Sequence, residues 1–208
     1  MVQAPVKPLN RQLTDKEFRQ FLRDDCSDNF YELVDGWLQI MTEPGGKHQF
    51  VVTRLIVWLE NYIAQQNLPL QTYPMTLCKL GKGDWKRPDL IVVDKEMWER
   101  NTRREAILED PPELAIEIVS TNWEDDYIKK PLRYAAFGIK EYWIADLLLK
   151  VDQYPHHKHP DIHEPTLSVG ILKDGAYQWQ RFRGDRRIES SLFPELKLTV
   201  EKILQAIG

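Results

Sequence analysis

A chain of 208 residues, 42% hydrophobic and 29% charged, has room for one domain with a real core and the make-up of an ordinary globular protein. Its 28 Lys and Arg against 32 Asp and Glu leave a net charge of −4, which excludes a histone-like, generally basic nucleic-acid binder. No apolar run approaches the roughly 20 residues that span a bilayer, and two cysteines, Cys26 and Cys78, are too few for a disulfide framework.

Residues 1–12 read as a disordered lead without the apolar core of a signal peptide, so the expected location is the cytoplasm. Thr14 and Glu17 form a capping box flanked by the staple pair Leu13 and Phe18, which predicts a helix over Asp15–Asp24. Residues 30–34 and 37–41 flank Asp35-Gly36, a pair that tolerates the positive φ angles of a two-residue hairpin turn. Pro44-Gly45-Gly46 breaks the chain. His48, Val52, Leu55, Leu59 and Tyr62 or Ile63 then recur at helical spacing and give a long helix a core face that includes the histidine. Residues 70–80 read as one strand, 81–84 as a turn and 87–94 as the next strand. Lys79, Lys82, Lys86 and Arg87 cluster there, as a local basic strip or simply as a solvated hairpin. Residues 98–109 suit a surface helix or ordered loop, and Pro111-Pro112 resets the backbone before a strand over 113–120.

Two runs in this stretch, Arg87-Pro88-Asp89-Leu90-Ile91-Val92-Val93 and Glu113-Leu114-Ala115-Ile116-Glu117-Ile118-Val119-Ser120, have the length and β-branched content of strands buried on both faces. Each carries one carboxylate where burial normally excludes it: Asp89, directly after Pro88, and Glu117 in mid-strand. An ionised carboxylate is costly to bury unless a cation or strong donors compensate it. Two together suggest a hard divalent metal, and Lys129-Lys130 downstream sharpens the suggestion. The plainer reading is structural: Asp89 caps a strand end and Glu117 pairs with Lys129 or Lys130.

Ser120-Thr121-Asn122 offers caps for a helix over 124–137, stopped by Gly138, and residues 141–145 begin another strand. The proline-flanked loop 155–165 holds His156, His157, His159 and His163; such a loop is a poorly organised transition-metal site. Residues 166–172 and 176–182 flank Asp174-Gly175 as a second hairpin, and 199–207 closes the chain as an amphipathic helix. With no repeat or linker, the reading is one α+β domain over 13–208, with a core over about 28–155 and a C-terminal extension over about 156–208.

The order helix, strand, strand, strand, helix, strand, with Asp89 and Glu117 on successive strands, resembles the PD-(D/E)XK nuclease core. Pro88-Asp89 matches the first half of that motif, but Val119 stands where the lysine is usual. Tyr31-Glu32-Leu33-Val34-Asp35-Gly36, His48-Gln49, Arg87-Pro88-Asp89, Glu117-Ile118-Val119-Ser120, Lys130 with Tyr134, and Gly138-Ile139-Lys140-Glu141-Tyr142-Trp143 together resemble the Uma family of restriction-endonuclease-like proteins. The resemblance implies a central mixed sheet flanked by helices, with an N-terminal helix-hairpin and a C-terminal hairpin extension. It implies DNA as substrate, Mg²⁺ (or Mn²⁺) as cofactor, Asp89 and Glu117 as metal ligands with the Ile118 carbonyl as a third, and Lys130 as the catalytic lysine moved onto the following helix. Glu32 and His48 match further signature positions, as helpers in metal or water binding, although a histidine in phase with Val52 and Leu55 also suits a hydrogen-bonded core residue. Pro131 disfavours helical angles at Lys130, which makes Lys129 the natural substitute. Trp123, beside that helix, is placed either in the core or against substrate. A homodimer would suit double-strand cutting. The rival functions are a non-catalytic DNA-associated protein and an interaction module that keeps the fold.

Overall fold

The structure, a computed structural model, describes residues 7–103, 105–119, 123–147 and 161–207. Their strands form two six-stranded sheets. Across its width the first holds β1 (Lys7–Gln12), β3 (Trp37–Ile40), β2 (Tyr31–Val34), β6 (Asp84–Lys86), β5 (Leu77–Gly81) and β8 (Ile107–Leu108). The second, central sheet holds β12 (Ala176–Phe182), β11 (Thr166–Lys173), β10 (Glu141–Asp146), β9 (Leu114–Ile118), β7 (Leu90–Asp94) and β4 (Leu70–Pro74). Both sheets are mixed, through the parallel pairs β5–β8 and β9–β10.

A parallel pair cannot be joined by a hairpin. The β9-to-β10 connection is accordingly helical: a π-helical segment, Asp125–Lys129, runs into α4 (Lys130–Phe137), which Gly138 ends in the left-handed region at φ 96°. The helices α2 (Gly46–Gln65) and α5 (Val200–Ile207) cover the other face of the central sheet. Alternation along β9 follows from the pleat. Leu114, Ile116 and Ile118 join the core on the α2 side, whereas Ala115 and Val119 join Tyr134, Tyr142 and Ile144 on the α4 side. Glu117 shares the parity of Ala115, so the strand itself aims it toward α4.

The first sheet is closed by α1 (Asp15–Asp24), and the expected capping box is formed. The N–H and hydroxyl of Thr14 donate to Glu17 Oε2 at 2.8 and 2.7 Å, and the Glu17 N–H donates to Thr14 Oγ1. Leu13 and Phe18 bury against Leu33, Leu38, Leu77 and Trp85; each large apolar side chain buried this way contributes about 1.5–3 kcal/mol. The Asp35-Gly36 turn has both φ values positive, 51° and 81°, as a primed hairpin requires.

Three expectations change. The lead is not disordered throughout: Lys7–Gln12 pairs with β3 as β1, while residues 1–6 lie outside the described residues. The strand expected over 70–80 is two strands in different sheets. The chain breaks at Met75, a non-glycine residue at φ 50°. The helix expected over 98–109 is α3 (Lys95–Thr102), started by the Asp94 carboxylate, which accepts from the Met97 N–H at 2.9 Å. The C-terminal hairpin extension is formed as expected. β11 pairs antiparallel with β10, and Ile188, Phe193, Leu198 and Ile203 complete the main core. No helix among the described residues is long and apolar enough to cross a membrane.

Candidate active site

The site begins with register. β7 and β9 run antiparallel with Leu90 opposite Ile116 and Ile91 opposite Ala115, so continuing the ladder by one residue sets Asp89 opposite Glu117. Both carboxylates therefore stand at one end of the strand pair, Glu117 held from α4 and Asp89 within reach of the first turn of α2. Asp89 Oδ2 accepts the Ile118 N–H at 2.8 Å and lies 3.0 Å from His48 Nε2. Asp89 Oδ1 makes no hydrogen bond among the described residues. His48 enters from the first turn of α2 and is buried. Its Nδ1 has no partner among the described residues, which leaves Nε2 as the ring nitrogen committed to the carboxylate.

Glu117, 2% exposed, is held from α4. The Tyr134 hydroxyl donates to Oε1 at 2.6 Å, and Lys130 Nζ lies 2.9 Å from Oε2. The same ammonium donates to Asp126 Oδ1 at 2.7 Å. The π-helical turn makes this arrangement possible. The Lys130 N–H bonds back to Asp125 O rather than to Asp126 O, and Pro131 has no N–H to offer. The Asp126 carbonyl is thus left without a helical donor, and the Tyr142 hydroxyl supplies one at 2.9 Å. Lys130 keeps right-handed helical angles, φ −60° and ψ −40°, despite the proline after it. This corrects the expectation that Pro131 would re-aim it. Lys129 points elsewhere, exposed and paired with Asp125 at 3.8 Å.

Charge is not balanced here. Burial pushes the Glu117 carboxyl well above the usual carboxylate range, Lys130 opposes the shift, and the Asp89 and Asp126 carboxylates add to it. Burial likewise raises Asp126 to about 6, against Lys130 and with help from Asp89. Burial disfavours the Lys130 ammonium, but Asp126 and then Glu117 outweigh it and hold its pKa well above the ordinary value. One ammonium thus faces three carboxylates, and a further cation would relieve the excess.

No three His, Cys, Asp or Glu side chains among the described residues gather closely enough to cage a metal ion. The donor set still fits Mg²⁺, which takes oxygen ligands, needs only one or two carboxylates and keeps several waters.

Glu32 stands apart from this group. It is buried, with Oε2 2.9 Å from Lys86 Nζ and Oε1 accepting the Arg87 N–H at 2.8 Å. Lys86 also approaches Asp125 at 3.7 Å, so Glu32 connects to the site through a second buried lysine. Sequence reasoning did not assign roles to Asp126, Lys86 or Tyr142. The i, i+4 spacing of Asp126 and Lys130 was the one available signal. Trp123 is half-buried against the Tyr134 and Tyr142 cluster. His156, His157 and His159 lie outside the described residues, and His163 is exposed.

Comparison with known proteins bears on the family and the fold. A crystal structure described as a putative nuclease belonging to DUF820, from Anabaena variabilis, superposes with a TM-score of 0.69 over 91% of this chain and 98% of its own, at 18% identity. At that identity the likeness establishes a shared fold. No curated protein matches the chain. The family model Uma2, described as "Putative restriction endonuclease", matches residues 15–201. The chain is therefore a member of the Uma2 family, with a restriction-endonuclease-like α+β fold.

Proposed function

We propose that this protein is a Mg²⁺-dependent endonuclease that hydrolyses DNA phosphodiester bonds at the Asp89–Glu117–Lys130 site. The observation that carries the reading is the buried Lys130 ammonium, bridging Glu117 and Asp126 beside Asp89 with two carboxylates to spare. Asp89 and Glu117 would hold the ion, with the Ile118 carbonyl as a third ligand. When bound, Mg²⁺ lowers the pKa of a coordinated water and offsets charge on the phosphate. Lys130 stays charged, so its part is to orient the attacking water and stabilise the growing negative charge, not to remove a proton. Asp126, raised to about 6, is a carboxylate at neutral pH and a better proton acceptor than an ordinary aspartate. His48 and the Ile118 N–H fix the direction of Asp89, and Tyr134 that of Glu117. A homodimer, carrying two such sites, is the form suited to cutting both strands.

Plasmid relaxation in Mg²⁺ or Mn²⁺ tests the proposal. Asp89→Asn, Glu117→Gln and Lys130→Met are each expected to lower the rate by about 10²-fold or more. Nicking that survives Asp89→Asn would place the activity elsewhere. Salt-sensitive DNA binding without cleavage would favour the DNA-associated, non-catalytic reading. Mg²⁺ should also raise the thermal midpoint of the wild type but not of Asp89→Asn.

A further inference from the structure

Asp89 and His48 form one wall of a cavity of about 460 Å³ that the catalytic arrangement does not use. Its chemistry is selective. No lysine or arginine lines it, while Asp28 and Glu43 join Asp89 at its border, so its interior offers no cation to a phosphate group. The remaining polar lining is neutral, with the amides of Asn29 and Gln49 able both to donate and to accept. The apolar part includes Phe30, 47% exposed and thus unusually open for a phenyl ring, and Met75.

Phe30 is a prepared surface rather than a stray one. The Arg87 guanidinium lies over its ring, 5.2 Å from the centroid. Arg87 borders a second cavity that Phe30 also lines, and not the first. It is itself fixed, with Nε donating to Tyr31 O at 3.3 Å and a terminal nitrogen to Met75 O at 2.8 Å. Met75 holds the left-handed conformation, φ 50°, and its N–H donates to Asp89 O at 3.3 Å. Strained backbone of this kind persists where the surroundings over-determine it, and it concentrates at ligand sites. Phe30, Met75 and Asp89 are therefore locked into one frame through Arg87. The ring is backed by a cation and still lines the cavity, 47% exposed.

A flat neutral heteroaromatic with hydrogen-bonding edges fits such a site: aromatic stacking on one side, amides at the rim, no anion within. We infer that this cavity receives one unstacked nucleobase of the substrate strand, adjoining the phosphate at Asp89. The inference rests on the nuclease reading above and deepens it. The substrate must then expose a base beside the cut, as a single strand, a bulge or a mismatch, or as a base turned out of the duplex.

Fluorescence anisotropy in EDTA, where no cleavage occurs, tests it with the full-length protein. Two dye-labelled duplexes are compared, identical except for one unpaired adenine. The wild type should bind the bulged duplex about ten-fold or more tightly than the paired one. Phe30→Ala should abolish that preference while leaving the paired duplex unaffected, and Gln49→Ala should weaken it. Both side chains are exposed, so neither change threatens folding. Equal affinity of the wild type for the two duplexes, or an undiminished preference in Phe30→Ala, would overturn the inference. If cleavage that depends on Asp89 persists alongside such a result, the nuclease reading stands and only the base site fails. Conversely, a Phe30-dependent preference without any cleavage supports the base site and counts against catalysis.

Discussion

Glu141 gives the sharpest test of how the chain holds its C-terminal segment. It is 1% exposed and satisfies four donors. Oε1 accepts the Trp143 indole N–H at 2.6 Å, and Oε2 accepts the Ser191 N–H at 3.0 Å, its hydroxyl at 2.6 Å and the Leu192 N–H at 3.1 Å. Each hydrogen bond to a charged group contributes roughly 1.5–3 kcal/mol. Deleting the side chain also removes the cost of burying its charge, so Glu141→Ala should lose less than the sum, about 3–5 kcal/mol. For a chain of this size that lowers the thermal midpoint by roughly 6–20 °C. Glu141→Gln keeps the shape and one oxygen, and should fall between. Urea unfolding followed by tryptophan fluorescence and far-ultraviolet dichroism measures both. In β10, Glu141 pairs with Leu114, whereas Ile144 pairs with Glu117. The residue is thus three positions along the strand from the site, about 10 Å. Metal-dependent activity per folded molecule should therefore be unchanged at low temperature. A loss under about 1 kcal/mol, or a glutamine variant as damaged as the alanine one, would refute the reasoning.

Three further outcomes follow from buried polar groups. Lys86→Met leaves Glu32 Oε2 without its ammonium and should cost about 3–5 kcal/mol, most of it recovered when Glu32→Leu is added; a double-mutant cycle in urea that finds no coupling would sink this. Tyr142→Phe removes the donor to the Asp126 carbonyl and should cost about 1–3 kcal/mol, with a fall in nuclease rate as the turn carrying Lys130 loosens; an unchanged rate would show that the π-helical turn holds itself. Burial, with Asp126 adding to it, raises the Asp146 carboxyl to about 6 from an ordinary 3.8. A carboxyl raised on folding stabilises the fold while protonated, below its unfolded pKa, and that stability is lost as pH rises through the folded pKa. Asp146→Asn should accordingly gain on the wild type between pH 3.8 and about 6, by at most about 3 kcal/mol. A stability difference that stays flat across that range would contradict it.

What the sequence made legible at the site is what short-range rules determine. Asp89 and Glu117 stood out because one opens and the other interrupts a β-branched run, but it is the antiparallel register of β7 and β9 that brings them together. His48 was marked by its phase with Leu55 and Leu59, although the helix buries Val51 rather than Val52. The elements that escaped depend on partners far along the chain or on single unusual angles. Nothing in a methionine announces φ 50°, so one apparent strand was two. Lys86 looked like part of a basic strip because its partner, Glu32, lies 54 residues earlier, across a sheet whose register no local pattern specifies. Pro131 is the most instructive case. The pre-proline rule is a local steric preference against helical angles at Lys130, and the helix here holds Lys130 at those angles all the same. One extra residue in the preceding turn moves the Lys130 bond to Asp125 O, and the orphaned Asp126 carbonyl is taken by Tyr142, 16 residues away. The local preference is overridden by the surrounding contacts, and the Tyr142 hydroxyl satisfies the carbonyl that the π-helical turn leaves over. The proline then favours the site, because it stops the Asp126 carbonyl from recovering a helical donor. Asp126 and Lys130 are thereby kept on the turn that faces Glu117.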